Sequence, residues 1–225
     1  MNINQLEIKV VAPSLLNVEE NERVKMVNTL CNAGIQYFHY DVMDGEFVPN
    51  IAISVEQIKE LVQSRKQYCD VHLMVNNPLP YIEELKDFVP FFTIHYESME
   101  HKKLFNILRD VYVKNQSTNL GIAIKPNTKV EDVEDLLPYI SLITVMSVEP
   151  GKGGQKFMPN ALNKIKELKA IKEEKGYLYS IEVDGGINDI TGPQCFEAGA
   201  DICVAGTFLI TEPTSKRIQS IMGIK

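Results

Sequence analysis

"YFHYDVMDGEFVPN", residues 37 to 50, opens as an apolar extended run and closes in an acidic turn containing glycine, with His39, Asp41, Met43 and Asp44 between. Alternate residues of a β-strand share a face, so Phe38, Tyr40 and Val42 point one way and His39, Asp41 and Met43 the other. One face is apolar and the other carries ionisable chemistry. If the apolar face meets covering helices, the opposite face looks into the interior of a closed sheet. Asp41 then lies near the C-terminal end of its strand, where barrel enzymes keep their sites.

Runs of the same kind recur along the chain: "IKVVAPSLL" (8–16), "CDVHLMV" (69–75), "FFTIHYE" (91–97), "LGIAIKP" (120–126), "LITVMSV" (142–148), "YSIEVDGG" (179–186) and "ADICVAGT" (200–207). Helical periodicity lies between them, as in Val24, Val27, Leu30 and Cys31 before Gly34, in Val55, Ile58, Leu61 and Val62 after Ser54, and in Leu162, Ile165, Leu168 and Ile171. Strands joined by helices run parallel. Eight such units in 225 residues predict a (β/α)8 TIM barrel rather than an open doubly wound sheet. Pro49, Pro126 and Pro150 follow strands and help to end them. With no Gly-, Ser- or Pro-rich linker and no low-complexity tract, residues 1–225 are expected to form one α/β domain.

Composition narrows the function. A formal charge of −7 disfavours a non-specific nucleic-acid binder but leaves room for a local site for a small anion. The stretch "MNINQLEIKV" has no basic region followed by an apolar core, and no segment approaches a membrane span, so a cytoplasmic protein without membrane association is expected. Cys31, Cys69, Cys195 and Cys203 lie apart inside apolar periodic segments and read as reduced thiols.

Two constellations remain. His72 and Met74 share a parity on the third strand, the seventh ends at Asp184 before Gly185 and Gly186, and the sixth contributes Met146. Burying His39, Asp41, His72 and Asp184 together is costly unless something satisfies them, and a divalent ion does so. The mixed N/O set suits Zn²⁺, Fe²⁺, Mn²⁺ or Co²⁺ alike. The second constellation is glycine: "PGKGGQKF" (150–157), "DGGIN" (184–188) and "AGTF" (205–208) follow the sixth, seventh and eighth strands. Backbone N–H groups of such turns suit a phosphate, which in barrels commonly sits after strands seven and eight.

The segments "VAPSLL", "FHYDVMDGEFVPN", "DVHLMV", "GIAIKPNT", "TVMSVEPGKGGQKF" and "IEVDGGIN" together resemble the ribulose-phosphate 3-epimerase family over nearly the whole chain. The resemblance implies a ribulose-phosphate-binding barrel, usually a homo-oligomer, with one divalent metal per subunit. It would interconvert the pentulose phosphates D-ribulose 5-phosphate and D-xylulose 5-phosphate in the pentose phosphate pathway, through a metal-stabilised 2,3-enediolate. Carried over residue by residue, it implies His39, Asp41, His72 and Asp184 as metal ligands, with Asp41 and Asp184 also the acid/base pair. Ser14 and His72 fall on substrate-contacting positions, and Met43, Met74 and Met146 surround the reacting carbon. Gly153, Gly154, Gly185, Gly186, Gly206 and Thr207 fall on the phosphate-binding turns.

One departure stands out: the lid reads "PGKGG", with Lys152 where the family usually carries Phe. It bears on how the lid closes and not on the chemistry beneath. Outside these sets, Asp44 reads as a cap of the acidic turn, His95 and Glu97 as groups behind the site or a buried pair, and His101 as a solvated helix-start residue. A 3-epimerase of a six-carbon ketose phosphate such as D-allulose 6-phosphate is the nearest rival. The motif Asp-x-Lys-x-x-Asp expected of the related decarboxylases is absent. A non-catalytic sugar-phosphate-binding barrel would have no need of all four ligands.

Overall fold

The computed structural model describes residues 9–65, 67–114 and 119–224. The N-terminal stretch 1–8, with Ile8 of the first predicted strand, lies outside the described residues. Eight strands form one sheet: β1 (Val10–Pro13), β2 (Tyr37–Met43), β3 (Tyr68–Met74), β4 (Phe91–His95), β5 (Asn119–Ile124), β6 (Leu142–Met146), β7 (Ser180–Asp184) and β8 (Ile202–Ala205). They follow the order β1-β8-β7-β6-β5-β4-β3-β2, every pair parallel, and a bridge between Ser14 and His39 draws β1 and β2 together so that the barrel is nearly closed.

Helices cover the outside because their apolar stripes match the outward face of the strands. In the helix Val55–Ser64 the Ser54 hydroxyl accepts the Gln57 N–H at 3.2 Å, satisfying a free donor of the first turn, and Val55, Ile58 and Leu61 turn inward. They join Phe38, Tyr40 and Val42 of β2 in the main core, where full burial of an aliphatic such as Ile58 contributes about 1.5–3 kcal/mol. Between β5 and β6 the connection is not an α-helix but a 3₁₀ segment, Val130–Tyr139. Pro138 lies inside it, and a proline in an α-helix would clash with the carbonyl four residues back and lack a donor.

The inner face is layered differently. Ala12, Leu142, Ile202 and Val204 form a small apolar plug. His39, Asp70, His72, Thr93, Thr144 and Glu182 are all fully buried, an interior polar enough to demand partners. At the mouth Met43, Val48 and Met74 form a separate apolar cluster.

Candidate active site and metal centre

Register brings the predicted residues together. Asp41 lies beside His72 and Met43 beside Met74 across β2 and β3, while Met146 lies beside Asp184 across β6 and β7. Closure of the barrel then brings β7 to β2. Ligand atoms of His39, Asp41, His72 and Asp184 all lie within 4.8 Å of one another. Asp41 Oδ1 is 3.4 Å from both His39 Nε2 and His72 Nδ1, and Asp184 Oδ2 is 3.8 Å from His72 Nδ1. Ser14 Oγ donates to the other Asp41 oxygen at 2.5 Å.

The electrostatics separate the two aspartates. Burial works to raise the Asp41 carboxyl, but facing His39 and His72 hold it well below the usual range. Burial, then the Asp41 charge, pushes Asp184 up to about 7. The two neighbouring carboxyls are thus shifted in opposite directions. A divalent cation fits the same residues: His39 Nε2 and His72 Nδ1 are buried nitrogens without hydrogen-bond partners, both directed at carboxylate oxygen.

At the cluster opens a cavity of about 580 Å³, whose lining includes Ser14, Met43, Met74, Met146 and the glycine turns. Gly185 and Gly186 have φ of 118° and 63°, the left-handed region that glycine favours. A Cβ on Gly186 would lie 2.6 Å from the Phe157 backbone nitrogen, so the turn is seated directly on the 150–157 loop. A Cβ on Gly206 would meet nothing within 4 Å, so packing within the chain does not demand glycine there. Gly153, Gly154 and Thr207 also line the cavity. Lys152 is exposed at its rim, and its carbonyl accepts from Gln155 Nε2 at 2.7 Å.

The flanking groups divide. Asp44 caps its turn, accepting from the Glu46, Phe47 and Asn76 N–H groups. His101 starts the helix His101–Val113, and its ring is paired with Asp135 at 3.0 Å. His95 and Glu97 are a pair: His95 Nδ1 lies 3.0 Å from Glu97 Oε2, and burial brings the His95 ring down to about 4, keeping it neutral.

Two further features of the site carry no conspicuous mark in the sequence. Asp70 and Glu182 sit beneath the site with His39, whose Nδ1 is 2.9 Å from Asp70 Oδ2 and 3.5 Å from Glu182 Oε1. Burial and then Glu182 raise Asp70 to about 6. Strand parity held the signal, since Asp70 precedes His72 by two and Glu182 precedes Asp184 by two. Asn17 is the second: its Nδ2 donates to Thr207 Oγ1 at 2.9 Å, tying the loop after β1 to the turn after β8, and no local pattern marks it.

Residues 10–210 match the model of the ribulose-phosphate 3 epimerase family. The chain is 38% identical over 202 residues to ribulose-phosphate 3-epimerase of Treponema pallidum, covering 88% of this chain and 89% of the relative. It is 36% identical to the enzyme of that name from Bacillus subtilis, covering 96% of this chain and 99% of the relative. Among solved structures, a mutant tryptophan synthase alpha-subunit from Pyrococcus furiosus superposes with a TM-score of 0.70 at 12% identity, covering 97% of this chain and 98% of that one, a likeness of fold.

Proposed function

The chain belongs to the ribulose-phosphate 3-epimerase family, and from that premise we propose that it interconverts D-ribulose 5-phosphate and D-xylulose 5-phosphate by proton transfer between two aspartates. The observation that carries the reading is the convergence of Asp41 and Asp184 with two partnerless imidazole nitrogens at the floor of a cavity of about 580 Å³.

Inverting a carbon beside a ketone means removing its proton on one face and returning one to the other. Asp41 and Asp184 come from β2 and β7, and would serve the two faces. His39, Asp41, His72 and Asp184 would hold one divalent ion, Zn²⁺, Fe²⁺, Mn²⁺ or Co²⁺. When bound, that ion supplies Lewis-acid stabilisation of the negative charge that develops on the substrate oxygens, without which carboxylates of ordinary basicity are weak for the task. Ser14 keeps Asp41 oriented through its hydroxyl. Met43, Met74 and Met146 exclude water around the reacting carbon. The N–H groups of the turns at Gly153, Gly154, Gly185, Gly186, Gly206 and Thr207 would anchor the phosphate, and that remote binding orients the carbon between the carboxylates.

The family resemblance extends the proposal to a cytoplasmic homo-oligomer, the second part of which light scattering on the purified chain tests. The activity itself is tested by turnover of D-ribulose 5-phosphate and D-allulose 6-phosphate side by side, before and after chelation. The pentulose phosphate is expected to be preferred, with activity lost on chelation and restored by divalent ions. Preference for the hexulose phosphate, or full activity in verified metal-free protein, overturns the corresponding part.

A further inference from the structure

His72 and His95 face each other through their Nε2 atoms at 2.9 Å, both rings fully buried. Two neutral imidazoles make that bond only if one supplies the proton and the other the lone pair. The choice is made on the far side of His95. Its Nδ1 meets Glu97 Oε2 at 3.0 Å, and an ionised carboxylate only accepts, so the His95 proton is at Nδ1 and its Nε2 is the acceptor. The proton in the contact between the rings therefore belongs to His72 Nε2. A neutral His72 then carries its lone pair at Nδ1, the nitrogen that faces Asp41 and Asp184.

Glu97 is itself held in place. Its Oε1 accepts the Lys125 N–H at 2.8 Å and the Thr128 hydroxyl, and Lys164 Nζ in turn donates to the carbonyls of Lys125, at 2.8 Å, and Thr128. Neither His95 nor Glu97 lines the cavity. Behind His39 a carboxylate lies directly against the ring, with Asp70 Oδ2 2.9 Å from Nδ1, whereas behind His72 the Glu97 carboxylate stands one imidazole further away.

We infer that His95 and Glu97 form a positioning relay, anchored in the loop after β5, that commits His72 to presenting its Nδ1 lone pair to the divalent ion. The inference rests on the metal reading above. The relay acts on the ligand, as carboxylate–histidine pairs behind metal sites do, and touches neither ion nor substrate.

Two substitutions separate this role from packing, because the His95 ring also packs against Phe47 and His72 at centroid distances of 4.9 Å. His95→Phe keeps a ring and loses the acceptor, whereas His95→Gln loses the ring and keeps an oxygen that can accept from His72 Nε2–H. The Zn²⁺ dissociation constant of the full chain is measured by competition with a chromophoric chelator. The relay predicts that His95→Phe weakens Zn²⁺ binding by roughly 10–100-fold, with His95→Gln closer to wild type. Equal weakening, the reverse order, or wild-type affinity in His95→Phe overturns it. Long-range ¹H–¹⁵N spectra of the Zn²⁺-loaded wild type give a test that needs no variant. Protons at His72 Nε2 and His95 Nδ1 are expected, and a proton at His95 Nε2 overturns the relay. Failure of the wild type to bind any of Zn²⁺, Fe²⁺, Mn²⁺ and Co²⁺ overturns the metal reading and the relay with it, whereas wild-type binding with the wrong order of variants overturns the relay alone.

Discussion

Replacing Asp184 by Asn separates a base from a ligand. The amide has nearly the shape of the carboxylate, and the Asp184 side chain, 17% exposed where it lines the cavity, leaves no void and forces no overlap when exchanged. An oxygen remains to face the His72 side of the cluster; what disappears is the charge and the ability to take a proton. Positioned acid/base groups contribute about 10²–10⁴-fold, which at about 1.36 kcal/mol per tenfold raises the barrier by about 2.7–5.4 kcal/mol. Loss of a ligand charge will also weaken metal binding, so activity is read at saturating metal with the bound ion quantified by elemental analysis. Epimerisation in D₂O, followed by NMR at C3, then supplies a second readout. Asp41 should still exchange the C3 proton of one epimer without completing inversion, and Asp41→Asn should show the opposite epimer preference. If metal-replete Asp184→Asn inverts its substrate within about tenfold of wild type, Asp184 is a ligand only and the two-carboxylate mechanism is wrong.

Gly186→Ala puts a Cβ into a left-handed residue and 2.6 Å from the Phe157 backbone nitrogen, so we expect a loss on the order of 2 kcal/mol or more in urea unfolding, with a raised KM as the phosphate turn shifts. Lys152→Ala should raise KM and leave kcat nearly unchanged, because an exposed lysine at the cavity rim offers the phosphate a contact of about 1 kcal/mol or less; an unchanged KM at low ionic strength would remove Lys152 from substrate binding. Glu97 tests the pH dependence of stability: burial opposes its charge, but hydrogen bonds from His95, Thr128 and the Lys125 N–H bring it down to about 2 from 4.5. A depressed carboxyl stabilises the fold in full above its unfolded value and loses that contribution as pH falls toward its folded value. Glu97→Gln should therefore flatten the stability curve of metal-free protein between about pH 5 and 2, and an unchanged acid limb would show that the carboxylate is not held as described.

Strand parity is a local property, and much of the site was legible through it. The alternation of "YFHYDVM" is enough to place His39, Asp41 and Met43 on one face, and the same rule applied to "CDVHLM" and "SIEVD" groups His72 with Met74 and ends β7 on Asp184. Asp70 and Glu182 obey it too; they were passed over because a carboxylate in mid-strand has no glycine turn beside it to mark it. The 3₁₀ segment at Val130–Tyr139 escaped for another reason, since its apolar spacing is helical and only Pro138 argues otherwise. Non-local arrangements left no such trace. Alternation says which residues share a face of one strand and nothing about which strands meet across the barrel, so the approach of Asp184 on β7 to Asp41 on β2, two strands that do not pair, exists only once β1 and β2 close. The Asn17 contact to Thr207 depends on the same closure. The chain from His72 through His95 to Glu97 and the β5 loop depends on ring orientation in a packed interior, where hydrogen-bond direction is set by groups brought together from β3, β4 and the loop after β5. Period and composition act through neighbours in the chain and so can be read from it, whereas a proton's position between two imidazoles is decided by a carboxylate that reaches them only in the folded barrel.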